Sequence, residues 1–223
     1  MKKIKIGIGG VLMLGAMMLS ERAELFAVFL TAAVAHELGH LIAAKVMKIG
    51  VKEIRLDTFG ARICVEERLL SYKQELWLAL SGPVANLTTA MIAFFALPDD
   101  REGLIFEIER FASSGEWHTG GAAGFFILSS LIQAAINLLP IKSFDGGRAL
   151  QCLLSLFVSE TAAERIVEIS SAISVGVLWM MALYLMLKTS SGLELYAFSI
   201  GLFFMLAGRQ SLSHTDANEK SER

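Results

Sequence analysis

Six blocks of apolar residues, each about 15–25 residues long, constrain the possible folds of this sequence more than any other feature. They cover approximately residues 4–20, 24–46, 75–97, 120–139, 164–187 and 192–208. A helix needs about 20 apolar residues to cross the hydrocarbon core of a bilayer. Apolar residues make up 54% of the chain, compared with roughly 45–50% in soluble domains. The sequence therefore predicts an all-α membrane protein, with six transmembrane helices in one domain over residues 1–210.

The two ends of the chain require separate interpretations. The basic start "MKKIK" followed by an apolar run resembles a secretory signal peptide. No small-residue cleavage site follows the run, which ends in "MMLSER", so an uncleaved first span is the favoured interpretation. At the other end, residues 211–223 are polar and are predicted to form a disordered cytoplasmic tail.

The distribution of lysine and arginine predicts how the spans are oriented. When the N-terminus is placed in the cytoplasm, 16 of the 20 basic residues fall on the cytoplasmic side of a six-span topology. Cytoplasmic loops carry the excess of positive charge in membrane proteins, so both termini are predicted to be cytoplasmic. The net charge of −2 gives no indication of a nucleic-acid partner, and the expected surroundings are the lipid bilayer.

The segment between the second and third blocks has a different pattern. Apolar and charged residues roughly alternate in "VKEIRLD" and in "ARICVEE", with "TFG" between them. Alternation with a period of two is typical of β-strands. Residues 49–70 are therefore predicted to form a short membrane-associated β element on the cytoplasmic side. An irregular basic loop is the alternative.

Three titratable residues interrupt the second apolar block, in the stretch His36-Glu37-Leu38-Gly39-His40. Residues i and i+4 of a helix project from nearly the same face, so His36 and His40 can present two nitrogens to one Zn²⁺ ion. Glu37 lies about 100° around the helix from His36, where its carboxylate can act as the general base on water. Ionisable groups inside a span are costly and usually mark function. A polar cluster satisfied by neighbouring helices is the alternative.

A catalytic zinc site needs a third protein ligand. The two remaining histidines fall in the predicted outer loop and in the C-terminal tail, so a carboxylate is the better candidate. Asp145 follows Pro140, which ends the fourth block, and it precedes two glycines that permit a tight backbone turn. This loop returns to the cytoplasmic side, near His40. Considered alone, the "DGG" stretch is an ordinary turn.

Three stretches together resemble a known family. "HELGH" in an early span, "SGPVANL" in a middle span and "NLLPIKSFDGGR" later are similar to motifs of the site-2 proteases, which are intramembrane zinc metalloproteases. The resemblance covers approximately residues 24–158. The compact six-span plan without an inserted PDZ domain most resembles the subgroup of stage IV sporulation protein FB.

The resemblance implies roles for individual residues. The implied zinc ligands are His36, His40 and Asp145. Glu37 matches the family's catalytic glutamate. Asn86 and Asn137 match recurring asparagines that would bind substrate or stabilise an oxyanion, and an interhelical hydrogen bond is the alternative for each. Ser81, Gly82 and Pro83 are expected to permit close packing and a kink beside the helix that carries the histidines.

The implied reaction is hydrolysis of a peptide bond in or near the membrane segment of a membrane-tethered protein. The substrate implied by the sporulation-type subgroup is a sigma-factor precursor in a bacterial cell membrane, and a membrane-protein regulator or inhibitor is an expected partner. A substrate helix hides its peptide bonds and must unwind. The extended segment could then pair with an edge of the strand segment 49–70, where Ile54 and Leu56 are the candidate substrate-binding residues.

Two other functions fit parts of the sequence. An inactive relative could bind membrane helices as a scaffold without cutting them, although the intact Glu37 argues against this. A metal transporter could use histidine and glutamate within the membrane as a zinc pathway. Transporters favour ligand sets that are repeated in two halves of the chain, and the sequence shows no internal repeat.

Overall fold

The computed structural model describes residues 3–6, 23–57, 60–65, 70–96, 104–106, 109–110 and 121–189. Its strands and helices are β1 (Lys3–Ile6), α1 (Ala23–Val46), β2 (Val51–Asp57), β3 (Gly60–Val65), α2 (Tyr72–Ala96), α3 (Gly121–Asn137), α4 (Asp145–Leu154) and α5 (Glu160–Thr189). Four predicted apolar blocks coincide with α1, α2, α3 and α5. The predicted sixth span, residues 192–208, and the predicted tail lie outside the described residues.

Three of these helices are long and apolar enough to cross a membrane, through Ala27–Val46, Tyr72–Ala96 and Glu160–Tyr184. Helix α3 is also apolar but has only 17 residues, slightly fewer than the roughly 20 that a bilayer core requires. Large apolar side chains point outward along the long helices: Ile42, Ile92 and Ile173 are each 62% exposed. Such exposure is expected where lipid surrounds a helix. The number of six spans stays a prediction.

Local interactions define where the first two helices end and begin. Helix α1 is followed by Lys48 with a φ of 55°, and the backbone N–H of Ile49 reaches back to the carbonyl of Ala44 at 2.8 Å. This is the Schellman arrangement, and Ile49 packs on Ala44 beneath it. At the start of α2, the side chains of Ser71 and Gln74 bond to each other's backbone N–H groups, which forms a capping box.

The three strands form one sheet in the order β1-β2-β3. Strands β2 and β3 pair antiparallel in the segment predicted to be β, and β1 pairs parallel to β2, with Ile4 opposite Ile54. The prediction of a span beginning at residue 4 is therefore wrong at its start. The stretch "KIKI" alternates with the period of a strand, and residues 7–22 lie outside the described part of the chain.

The central position of β2 bears on the predicted substrate-binding residues Ile54 and Leu56, which both lie in this strand. Ile54 pairs with Ile4 on one side and with Ile63 on the other, and Leu56 pairs with Ile6 and Ala61. Both backbone edges of β2 are thus occupied over these residues. A substrate strand cannot add at Ile54 and Leu56 without displacing β1 or β3, because each edge of a strand accepts one partner.

The loop between α3 and α4 is hydrogen-bonded to α5. The backbone N–H of Lys142 donates to Ser171 Oγ at 2.8 Å, and the Ser170 hydroxyl donates to the carbonyl of Pro140 at 3.0 Å. Ile141, fully buried, packs with Phe144 and with Val175 of α5. These contacts fix the loop immediately before Asp145, the first residue of α4.

Candidate metal centre

His36, His40 and Asp145 converge at one point between α1 and the start of α4. Asp145 Oδ2 lies 3.0 Å from His36 Nε2 and 3.2 Å from His40 Nε2, and the two Nε2 atoms are 3.2 Å apart. All three residues are buried, with 5%, 8% and 9% of their surfaces exposed in that order. The two histidines are separated from the aspartate by more than a hundred residues of sequence, so the tertiary fold creates this cluster.

The geometry of the three atoms fits a divalent metal ion. A point just above the plane of a triangle with these edges lies about 2 Å from each corner, which is the bond length of Zn²⁺ to imidazole nitrogen and carboxylate oxygen. Two imidazoles and one carboxylate are also the donor set of catalytic zinc sites that keep a position open for water or substrate. The cluster is the one group of metal-ligating side chains found within the described residues.

Close packing of α2 against α1 brings a second helix to the cluster. A Cβ atom added to Gly82 would overlap the Nε2 atoms of both histidines, so only glycine leaves this space open. A Cβ atom on Gly39 would overlap the carbonyl oxygen of Ser81 and the side chain of Ala85. The predicted close approach at Ser81 and Gly82 is confirmed. Pro83, the next residue, cannot donate to the carbonyl four residues before it and weakens the helix there.

The outer nitrogen of His40 is bonded to the backbone of α2. His40 Nδ1 lies 2.7 Å from the carbonyl oxygen of Leu78 and 3.1 Å from Ser81 Oγ. A carbonyl oxygen can only accept a hydrogen bond, so Nδ1 carries the hydrogen and Nε2 presents a lone pair to the cluster. The Ser81 hydroxyl donates to the same carbonyl at 2.6 Å. Metal-bound histidines have such outer partners, which fix the tautomer and the ring orientation.

Asn86, predicted to bind substrate, lies instead behind His36. Its side-chain Nδ2 is 3.3 Å from His36 Nδ1, the ring nitrogen that points away from the cluster. Asn86 is fully buried, and its Oδ1 has no hydrogen-bond partner in the described structure. These surroundings favour the interhelical hydrogen bond, the alternative considered above, over contact with a substrate.

Glu37 is adjacent to the cluster without belonging to it. Its carboxylate is partly buried, interacts electrostatically with His40 and Asp145, and leaves Oε2 without a hydrogen-bond partner among the described residues. A buried carboxylate oxygen with no protein partner is costly, and such a group needs a proton, a water molecule or a substrate atom as its partner. The position fits the predicted general base.

Asp145 is held ionised by its neighbours. Burial raises the pKa of this carboxyl, but the neighbouring His36 and His40 rings outweigh burial and hold the pKa at about 2. The two glycines after it have no room for side chains, because a Cβ atom on Gly146 would overlap the Leu138 carbonyl and one on Gly147 the Ile141 carbonyl. The "DGG" stretch, predicted to be a tight turn, forms the first turn of α4 instead, and its two glycines are required by packing.

The other predicted site residues are not brought to the cluster. Asn137 ends α3 and is half-buried, and no hydrogen bond joins its side chain to another described residue. Ile54 and Leu56 lie in β2, within the sheet. Contact of these three residues with a substrate stays a prediction. The sequence gives no indication of the bond from His40 to the Leu78 carbonyl, because every residue has a backbone carbonyl.

Comparison with known proteins agrees with this geometry. Residues 24–113 match the sequence model of Peptidase family M50. The matched range contains both histidines, Glu37 and Asn86, while Asp145 lies beyond it and is joined to them by the fold alone. No curated protein matches the chain by sequence.

The fold is similar to that of a solved structure, the site-2 protease from Methanocaldococcus jannaschii. The two share 21% sequence identity with a TM-score of 0.61, over 92% of this chain and 89% of that one. This similarity shows the fold. Together with the three long apolar helices, it indicates that the chain is an integral membrane protein.

Proposed function

We propose that this chain is an intramembrane zinc metalloprotease of the site-2 type. The observation that carries the proposal is the convergence of His36 Nε2, His40 Nε2 and Asp145 Oδ2 within 3.2 Å of one another, between apolar helices and beside Glu37. The match of residues 24–113 to Peptidase family M50 supports it. The substrate class is a membrane-tethered protein, such as the precursor of a transcription or sigma factor.

Three residues would bind the metal, and Glu37 would transfer the protons. His36, His40 and Asp145 would hold the zinc ion. When bound, zinc polarises the scissile carbonyl and lowers the pKa of water towards 7. Glu37 takes a proton from the attacking water and passes a proton to the leaving amine, which is general base and then general acid catalysis by one carboxylate. Its unpartnered Oε2 is available for both transfers.

The arrangement of the elements also supports a cytoplasmic opening of the site. Pairing of β1 with β2 places the N-terminal residues 3–6 beside the segment that follows α1. Both are rich in lysine and arginine, which favour the cytoplasmic side. We infer that the N-terminus, the sheet and the water entrance share that side of a bacterial cell membrane, and that the sporulation-type subgroup is the best guide to the substrate.

Co-expression with epitope-tagged membrane-tethered factors tests the proposal. The wild-type chain should release a shorter tagged fragment from its substrate, while Glu37→Gln should slow release by at least about 100-fold, the usual contribution of a general base. Zinc content should stay unchanged in Glu37→Gln. Glu24→Gln removes the same charge from the first turn of α1 and should leave cleavage unchanged. Cleavage by Glu37→Gln at the wild-type rate would contradict the proposal.

A further inference from the structure

The two nitrogens of the His36 ring face different surroundings. Nε2 faces the cluster, 3.0 Å from Asp145 Oδ2, and Nδ1 faces the Asn86 amide, with Nδ2 of the amide 3.3 Å away. Asn86 is on α2, fully buried, and its Oδ1 has no partner among the described residues. A buried amide oxygen without a partner costs stability and therefore calls for an explanation.

Metal binding at Nε2 changes the kind of hydrogen-bond partner that His36 Nδ1 needs. A neutral imidazole carries one hydrogen, so a ring that gives the Nε2 lone pair to a metal carries its hydrogen on Nδ1. That N–H group is a donor, and the Nδ2 amide group that lies opposite it cannot accept. Turning the Asn86 amide by half a turn exchanges Nδ2 with Oδ1. The oxygen that has no partner then accepts the hydrogen of Nδ1.

We propose that Asn86 is a positioning residue for the metal, acting through His36 by means of its amide oxygen. This inference rests on the proposed zinc site. An amide suits the position because it can serve both tautomers of the ring. With a hydrogen on Nε2 shared with Asp145, the amide nitrogen donates to Nδ1; with a metal on Nε2, the amide oxygen accepts from Nδ1. Asparagine therefore holds the ring in one orientation before and after the metal binds.

Asn86 is thereby the counterpart of the Leu78 carbonyl. That carbonyl, 2.7 Å from His40 Nδ1, holds the second imidazole. Both partners belong to α2, two turns apart, so one helix directs both Nε2 atoms toward Asp145. Carboxylates and carbonyls are the usual outer partners of metal-bound histidines, and their removal typically lowers metal affinity by about 10–100-fold.

The experiment measures zinc affinity in the purified full-length chain in detergent, by competition with a chromogenic chelator. Asn86→Leu removes the acceptor and should weaken zinc binding by about 10–100-fold. Asn86→Asp keeps an oxygen acceptor and should bind zinc within about threefold of the wild type. Thr89→Val is the matched control, because among the described residues the Thr89 hydroxyl bonds only to carbonyls of its own helix.

A second measurement covers the case in which Asn86→Leu does not fold. In the cobalt-substituted chain, each metal-bound histidine gives a strongly shifted proton signal from its outer N–H group. We expect two slowly exchanging signals in the wild type and in Asn86→Asp. In Asn86→Ser, whose shorter side chain cannot reach the ring, the His36 signal should exchange faster with water.

Three results would each count against the inference. Zinc affinity of Asn86→Leu equal to that of Thr89→Val would overturn it, and so would an equal loss in Asn86→Asp and Asn86→Leu. A His36 signal that is unchanged in Asn86→Ser would overturn it as well. A wild-type chain that binds no zinc at all would instead remove the proposed function, and the inference with it.

Discussion

The two histidines of the site differ in what holds their outer nitrogens. His40 Nδ1 bonds to the backbone carbonyl of Leu78 at 2.7 Å, whereas His36 Nδ1 faces the side-chain amide of Asn86 at 3.3 Å. The carbonyl can only accept, so it permits one tautomer of His40. The amide can donate or accept, so it permits both tautomers of His36. The His40 half of the site is therefore oriented by a main-chain carbonyl. The His36 half is oriented by the Asn86 side chain, which a mutation can remove.

This difference means that the two halves should respond unequally to mutation. Substitution of a side chain on α2 can remove the support of His36 completely, but it cannot remove the Leu78 carbonyl. Groups shared by both histidines should have the largest effects, followed by the support of His36 and then by that of His40.

Replacing Asp145 by alanine breaks both halves at once, because its Oδ2 lies 3.0 and 3.2 Å from the two Nε2 atoms. We expect zinc affinity to fall by more than about 100-fold, beyond the range for outer partners, and cleavage to be lost. Glu160→Ala is the control. Glu160 lies in the first turn of α5, just as Asp145 lies in the first turn of α4. Zinc bound at full stoichiometry by Asp145→Ala would remove this residue from the ligand set.

Adding one methyl group at Gly82, on α2, should disturb the Nε2 atoms of both histidines. The new Cβ atom would overlap both Nε2 atoms, so Gly82→Ala should lower zinc affinity and activity by at least about 10-fold. Gly176→Ala adds the same methyl group on α5, where nothing lies within 4 Å. This control should keep zinc affinity and, by helix propensity, gain up to about 1 kcal/mol of stability. Equal zinc affinity in the two variants would refute the close approach of α2.

Ser81→Ala removes one of the groups beside His40 Nδ1. Its effect on zinc affinity can be compared with that of Asn86→Leu, which removes the group beside His36 Nδ1. The Ser81 hydroxyl is 3.1 Å from His40 Nδ1, but the Leu78 carbonyl remains in place when it is removed. We expect zinc affinity to change by less than about threefold, well below the 10–100-fold expected for loss of a sole outer partner. Chelator competition on the two variants side by side measures the ratio. A larger effect from Ser81→Ala would reverse the comparison between the halves.

In the loop that carries Asp145, loss of a hydrogen bond should cost more stability than loss of two exposed ion pairs. Ser171→Ala leaves the partly buried N–H of Lys142 without its acceptor, which should cost about 1–3 kcal/mol in the free energy of unfolding. Lys142→Met removes two ion pairs, to Glu164 and Glu168 at 2.6 and 3.0 Å, whose carboxylates are exposed. Its cost should be below about 1 kcal/mol. Thermal unfolding in detergent compares them, and a larger loss from Lys142→Met would contradict this ranking.

The sequence predicts the parts of this molecule that depend on short-range patterns. The helices α1, α2, α3 and α5 follow from apolar blocks of sufficient length, and the pairing of His36 with His40 follows from helix geometry. Asp145 was predicted from a turn and from family resemblance, and the fold brings it to the histidines. The family match ends at residue 113, so the structure supplies this contact independently.

The remaining features depend on packing between distant segments. The contact between Asn86 and His36 requires the rotation of α2 relative to α1, which no local pattern specifies. The strand at Lys3–Ile6 does not follow from the local pattern, because "KIKI" alternates but also opens a longer apolar block. The order of the sheet, with β2 in the centre, likewise depends on long-range pairing. It leaves β2 without a free backbone edge at Ile54 and Leu56, and substrate binding by these residues stays a prediction.

X-ray absorption at the zinc edge of the purified full-length chain tests the central claim most directly. The account predicts one zinc ion per chain, with only nitrogen and oxygen neighbours at about 2.0–2.2 Å. Two of those neighbours should show the outer-shell scattering of imidazole rings. Two results would contradict the account: a chain that holds no zinc, or zinc with a sulfur neighbour at about 2.3 Å, which would place the ion at a cysteine and away from His36, His40 and Asp145.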